Sequence, residues 1–75
     1  MKKYQVVLGY LTKLNHHKKV ERFEISAADK DDALNKFEVY FRNYRGKSKA
    51  DRIWGQITDE KLDLLRIKYH NVRLF

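Results

Sequence analysis

Residues 29–44, with the sequence DKDDALNKFEVYFRNY, carry hydrophobic side chains at every third or fourth position. This spacing predicts one amphipathic helix whose apolar stripe consists of Ala33, Leu34, Phe37, Tyr40, Phe41 and Tyr44. Asp29 is the predicted N-cap, acidic residues in the first turn suit the helix dipole, and Gly46 is the predicted stop. Because the stripe is rich in aromatic rings, the helix needs a broad apolar surface to pack against.

The segments on both sides of this helix alternate between apolar and polar residues, as β-strands do. This alternation predicts a hairpin of two strands, 3–14 and 20–27, joined at 15–19. It also predicts a strand at 52–57, after the helix. Val7 and Leu11 make the second face of the first strand partly apolar. This predicts either a central place in a sheet or a second face that is partly covered by something outside the domain. Residues 62–75 fit a helical stripe or a strand. The strand is favoured because it puts Leu65, Ile67 and Tyr69 on one face, with a short final strand at 72–75 as an option.

The predicted fold class is therefore α+β: an antiparallel four- to five-stranded sheet with one helix packed across one face, in the order ββαββ. The 75 residues make a single domain, 1–75, in which the polar stretch 45–52 is predicted to be a mobile basic loop. The chain has no Cys, so neither disulfides nor thiolate metal sites supplement the core. No apolar run approaches the roughly 20 residues that span a bilayer, and a cytoplasmic location is expected.

Catalytic chemistry finds little support in the residue pattern. Ser26 lies just before the predicted helix and Ser48 lies in the loop, and neither is placed beside a base as a nucleophile would be. The aspartates at the start of the helix are better explained by capping than by a metal site. His16 and His17 are adjacent and His70 is distant, which is not a zinc-site spacing. We therefore expect no enzyme activity, no cofactor and no metal.

The positive charge favours an acidic or polyanionic partner. The net charge is +7, from 17 Lys and Arg against 10 Asp and Glu, and residues 42–52 alone hold five basic residues and one Asp. The predicted outer sheet face brings together Arg22, Trp54, Arg66, Lys68 and His70, with Val7 and Leu11 beside them. Trp54 with Val7, Leu11 and Leu64 fits a protein contact patch equally well. The candidate residues for binding a partner or nucleic acid are Arg22, Arg42, Arg45, Lys47, Lys49, Arg52, Trp54, Arg66 and Lys68.

Two functions fit these residues. The first is a small non-enzymatic binding protein that acts by protein–protein contact, as an accessory or inhibitor of a larger nucleic-acid-handling machine of the kind found in phages and mobile elements. The alternative is direct binding of RNA or DNA, with basic groups on phosphates and Trp54 stacked on a base. An apolar strip rimmed by cations on an open sheet also suits a homodimer.

The run FEISAADKDDALNKF at 23–37, followed after the helix by RIWGQI at 52–57, resembles the pattern of several small α+β modules. An archaeal large-subunit ribosomal protein is among them. The resemblance consists of helix capping and strand alternation, and it assigns no role to any residue of this chain.

Overall fold

A computed structural model describes residues 1–12, 17–47 and 52–71 of the chain. Its elements follow the order β1 (Lys2–Thr12), β2 (His17–Ala27), α1 (Lys30–Lys47), β3 (Arg52–Thr58) and β4 (Leu64–Asn71). The strands form one four-stranded sheet in the order β2-β1-β3-β4, and every neighbouring pair is antiparallel. The α+β class, the central position of β1 and the strand assignment of the last segment are confirmed. The optional strand at 72–75 lies outside the described residues.

The core lies between α1 and one side of the sheet, which we call the helix side. Inward residues alternate along the strands, and α1 adds the centre of its stripe, so the fully buried hydrophobic residues include Val6, Leu8, Ala33, Phe37, Ile53 and Ile57. Gly55 allows α1 to approach closely, because a Cβ atom there would lie 2.7 Å from Phe41 Cδ2 and 2.9 Å from Leu8 Cδ2. Tyr40 lies at the margin of the stripe and remains 46% exposed.

The start of α1 is fixed by a set of polar contacts. Asp29 Oδ1 accepts a hydrogen bond from the Asp32 N–H at 2.8 Å, which confirms the predicted N-cap. Asp32 Oδ2 accepts one from the Ala28 N–H at 3.1 Å and lies 3.3 Å from Lys36 Nζ. Lys36 Nζ in turn donates to the Ser26 carbonyl at 2.7 Å. These contacts join the end of β2 to the first turns of the helix.

The end of α1 differs from the prediction. The helix continues through Gly46 to Lys47, and Arg52 already belongs to β3, so half of the predicted loop 45–52 has regular structure. A glycine stops a helix by adopting a positive φ, and no glycine of the described residues has one. Residues 48–51, which include the predicted site residue Lys49, lie outside the described part of the chain.

The turn between β3 and β4 is organised by Asp59. Its Oδ1 accepts hydrogen bonds from the N–H groups of Lys61 at 2.9 Å and Asp63 at 3.0 Å. Leu62, which is largely exposed, has a φ of 65° in this turn. The pairing of β4 with β3 contains a register shift between Ile57 and Thr58, so that Leu64 lies opposite Thr58 and Arg66 lies opposite Ile57.

This register corrects the predicted faces of β4. Arg66, Lys68 and His70 pair with Ile57, Gly55 and Ile53, so the cations lie on the helix side and not beside Trp54. Ile67 and Tyr69 pair with Gln56 and Trp54 and lie on the opposite side. The prediction assumed that the apolar residues of the strand face the helix. In an edge strand the helix-side positions lie at the flank of α1, where charged side chains can reach a helix carboxylate.

Candidate functional site

The side of the sheet opposite α1, which we call the open face, is built from rows of paired residues that cross the strands. One row runs Val20, Gly9, Trp54 and Tyr69, and the next runs Arg22, Val7, Gln56 and Ile67. Leu11 and Arg52 pair beside the first of these rows. Because directly paired residues project from the same face of a sheet, the rows place aromatic and aliphatic side chains together at its centre.

Trp54 occupies the middle of the open face, where it lies over a glycine. A Cβ atom at Gly9 would be 2.5 Å from Trp54 Cε2 and 2.6 Å from Nε1, so the indole rests directly on the β1 backbone. Gly9 therefore leaves space for the ring on the strand surface, and the side chain of any other residue would occupy that space. The indole is half-buried by this arrangement, with the rest of the ring accessible from solvent.

Tyr69 and Arg52 extend the aromatic surface toward β4. The Arg52 guanidinium carbon lies 5.0 Å from the centroid of the Tyr69 ring, within the range of a cation–π contact. Tyr69 is 57% exposed although it is paired directly with Trp54. Together they border an open groove of about 320 Å³ lined by Leu11, Arg52, Trp54, Gln56, Ile67 and Tyr69.

The open face leaves several large hydrophobic residues accessible to solvent. These are Leu11, Val20, Leu64, Ile67 and Tyr69, each at least 36% exposed. On the helix side, the corresponding positions of β1 and β3 are buried under α1. Contiguous apolar surface of this kind usually marks a site of interaction with a protein, a membrane or a ligand.

The predicted site residues separate into three groups. Arg22, Arg52 and Trp54 lie on the open face. Arg42 is exposed on α1, and the last turn of α1 contains Arg45 and Lys47, whose side chains are outside the described part of the structure, as is Lys49. The third group, Arg66 and Lys68, lies at the flank of the helix.

Arg66 and Lys68 are both held by Glu38 of α1. Arg66 Nη1 lies 3.0 Å from Glu38 Oε1 as an ion pair, and Lys68 Nζ donates a hydrogen bond to Glu38 Oε2. Glu38 is therefore shared between two cations that the sequence pattern had assigned to recognition. Arg66 and Lys68 therefore connect β4 to α1 through their ion pairs with Glu38.

Sequence reasoning missed the contribution of Val20, Ile67 and Tyr69 to the open face. The signal that identifies them is strand pairing: an antiparallel β3–β4 hairpin places Tyr69 opposite Trp54 and Ile67 opposite Gln56. The bulge at Ile57 and Thr58 fixes that register, and it cannot be read from apolar alternation alone.

The helix side also contains Tyr44, a partly buried residue whose hydroxyl oxygen is inaccessible to solvent. Burial raises the pKa of Tyr44 to about 12, helped by the nearby charge of Glu21 and by Tyr10. The rings of Tyr10 and Tyr44 lie 6.1 Å apart, and within the described part of the chain the Tyr44 hydroxyl has no hydrogen-bond partner. This group belongs to the packing of α1 on the sheet and lies away from the open face.

Among the described residues, no group of three or more His, Asp or Glu side chains is arranged to hold a metal ion. The same part of the chain has no helix with the length and apolar character of a membrane span. Comparisons with known protein families, with curated proteins and with solved structures give no match. The chemistry of the open face is therefore the basis for a functional assignment.

Proposed function

We propose that this chain is a small non-enzymatic binding domain that contacts a partner protein through the open face. The observation that carries the proposal is the exposed apolar surface around Trp54, Ile67 and Tyr69, opposite a side that α1 covers. Burying such surface against a partner removes it from water, at a gain of roughly 25 cal/mol per Å² before the costs of association are subtracted.

The residue types on this face support a protein partner. Trp, Tyr and Arg are the residues most enriched at energetic hot spots, and Trp54, Tyr69 and Arg52 lie together here. Because Arg66 and Lys68 are bound to Glu38 on the helix side, the open face has fewer cations for phosphate contacts than its sequence suggested. Its centre is apolar, and its cations Arg22 and Arg52 lie toward the margins.

The net charge of +7 suggests the character of the partner surface. A partner with an apolar centre and a rim of carboxylates would complement this face, and long-range attraction would increase the rate of association. An accessory or inhibitory protein of a nucleic-acid-handling machine is a narrower form of the same proposal.

A matched pair of substitutions tests the proposal. Ile67 on the open face and Val39 on the outer surface of α1 are both branched, apolar and exposed. We expect Ile67→Asp to weaken capture of a partner from source-cell extract at least tenfold, since it places a charge in an apolar contact. Val39→Asp should leave capture unchanged. Equal loss for both variants, with both folded by circular dichroism, would count against an interface on the open face.

Direct binding of nucleic acid is the second candidate, and one observation favours it. Trp54 and Tyr69 form an accessible aromatic pair with Arg52 beside it. Aromatic rings of this kind stack on bases, and an adjacent arginine can contact phosphates. Trp54 is the chain's single Trp, so its fluorescence reports directly on this face. Quenching by a single-stranded oligonucleotide, weakening steeply as salt is raised, would favour this candidate over a protein partner. No quenching at low salt would exclude it.

A further inference from the structure

The outer edge of β2 is a second candidate contact surface, distinct from the open face. β2 is an edge strand of 11 residues that pairs with β1 along its whole length without a register shift. The chain has no Pro to protect this edge. A long regular edge offers unpaired backbone groups to another strand, and natural proteins usually shield it or use it.

The backbone groups that point outward from β2 can be identified. The Lys3 N–H donates to Glu60 Oε1 at 3.2 Å, on the β3 side of β1, so it does not bond to β2. Lys3 is paired with Ser26, and because the Lys3 N–H points away from β2, the two residues do not exchange hydrogen bonds. The backbone N–H and C=O groups of Ser26 therefore point away from β1. The bond from Lys36 Nζ to the Ser26 carbonyl agrees with that direction. By alternation, the backbone groups of Val20, Arg22 and Glu24 also point outward.

We propose that two copies of this chain associate through antiparallel pairing of β2 with β2 about a twofold axis at Phe23. In this register Arg22 of each copy lies opposite Glu24 of the other, so the outward backbone groups of both residues exchange hydrogen bonds. Their side chains form two ion pairs on the open-face side. Registers centred on Glu21, Arg22 or Glu24 each bring two like charges together on the axis.

The helix side of the same edge supplies apolar surface at the axis. Phe23 packs edge-on against Tyr40, with ring centroids 5.1 Å apart, and both rings remain accessible to solvent. In the proposed dimer Phe23 faces its symmetry mate as a closely spaced pair, with Tyr40 of each copy beside it. Pairing converts two sheets into one of eight strands and places the two open faces side by side.

Charge-reversal variants test the register directly. Arg22→Glu gives a chain with Glu at both positions, and Glu24→Arg gives one with Arg at both. Each variant alone should be monomeric, because like charges then oppose each other twice. An equimolar mixture should form a heterodimer, because Glu then faces Arg in both pairs. Sedimentation equilibrium at about 0.15 M salt, which limits repulsion between the positive protomers, measures these states.

The expected result is a wild-type dimer, two monomeric variants, and a mixture that regains at least tenfold tighter association than either variant alone. Arg42→Glu on the exposed surface of α1 is the control and should dimerise at least as well as wild type. A wild-type chain that stays monomeric at about 1 mM, or a mixture no tighter than its components, would overturn the proposal. Because Ile67→Asp does not alter β2, loss of partner capture and loss of dimerisation are separate outcomes.

Discussion

At the scale of single residues, two glycines on opposite sides of the sheet have different neighbours. Gly55 faces the core, where an added Cβ would meet Phe41, Leu8 and Phe37. Gly9 faces outward, where the neighbour is the Trp54 ring at the surface. The absence of a Cβ atom thus allows close packing of the helix at Gly55 and allows the Trp54 ring to lie on the β1 backbone at Gly9.

We predict that Gly55→Ala lowers the free energy of unfolding by about 1–3 kcal/mol, because the core must expand around the new methyl group. Gly9→Ala should cost less than Gly55→Ala, since the Trp54 ring can swing toward solvent. Urea denaturation measures both values, and the wavelength of Trp emission should move to the red only in Gly9→Ala. Equal losses in the two variants would contradict the assignment of the two faces.

At the scale of elements, the start of α1 contributes a pH-dependent stability. The backbone N–H of Ala28 lowers the pKa of Asp32 below its ordinary value, and the Lys36 ammonium lowers it further. A carboxylate whose folded pKa is depressed stabilises the fold above its unfolded pKa, and this contribution is lost as pH falls through the folded pKa.

We therefore predict that Asp32→Asn removes part of the loss of stability that occurs below about pH 4, and that it also lowers stability at neutral pH. Asp31→Asn is the matched control, because Asp31 carries the same charge in the same helical turn. Thermal unfolding between acidic and neutral pH measures both variants. A larger effect for Asp31→Asn than for Asp32→Asn would contradict the capping geometry.

The contact between β4 and α1 gives a second prediction at this scale. Glu38 forms ion pairs with both Arg66 and Lys68, although these side chains are 47% and 35% exposed. A double-mutant cycle with Glu38→Ala and Lys68→Ala should give a coupling energy of about 0.3–1 kcal/mol, within the range for partly exposed pairs. A coupling energy of zero would contradict a stabilising contact between Lys68 and Glu38.

At the scale of the whole molecule, local patterns predicted most of the fold but only part of the open face. The stripe of α1, its Asp29 cap and the central place of β1 follow from spacing, because each depends on neighbours in sequence. The faces of β4 depend on a bulge and on how far α1 extends across the sheet, which are long-range properties. Consequently Trp54 and Arg22 were placed together on the correct face, Arg52 was assigned to the loop, and Arg66 and Lys68 were placed on the wrong side.

The resulting molecule has one covered side, one apolar open face and two sheet edges. We propose that the open face binds a partner protein. The most direct test places a photo-crosslinking amino acid at Ile67 on the open face or at Val39 on α1, in otherwise identical chains.

After irradiation in source-cell extract, mass spectrometry identifies what each position has captured. We predict that position 67 crosslinks to a partner protein, that position 39 does not, and that excess unlabelled wild-type chain competes the product away. Crosslinking at position 39 to the same protein with equal yield, or crosslinking of position 67 only to nucleic acid, would contradict this account.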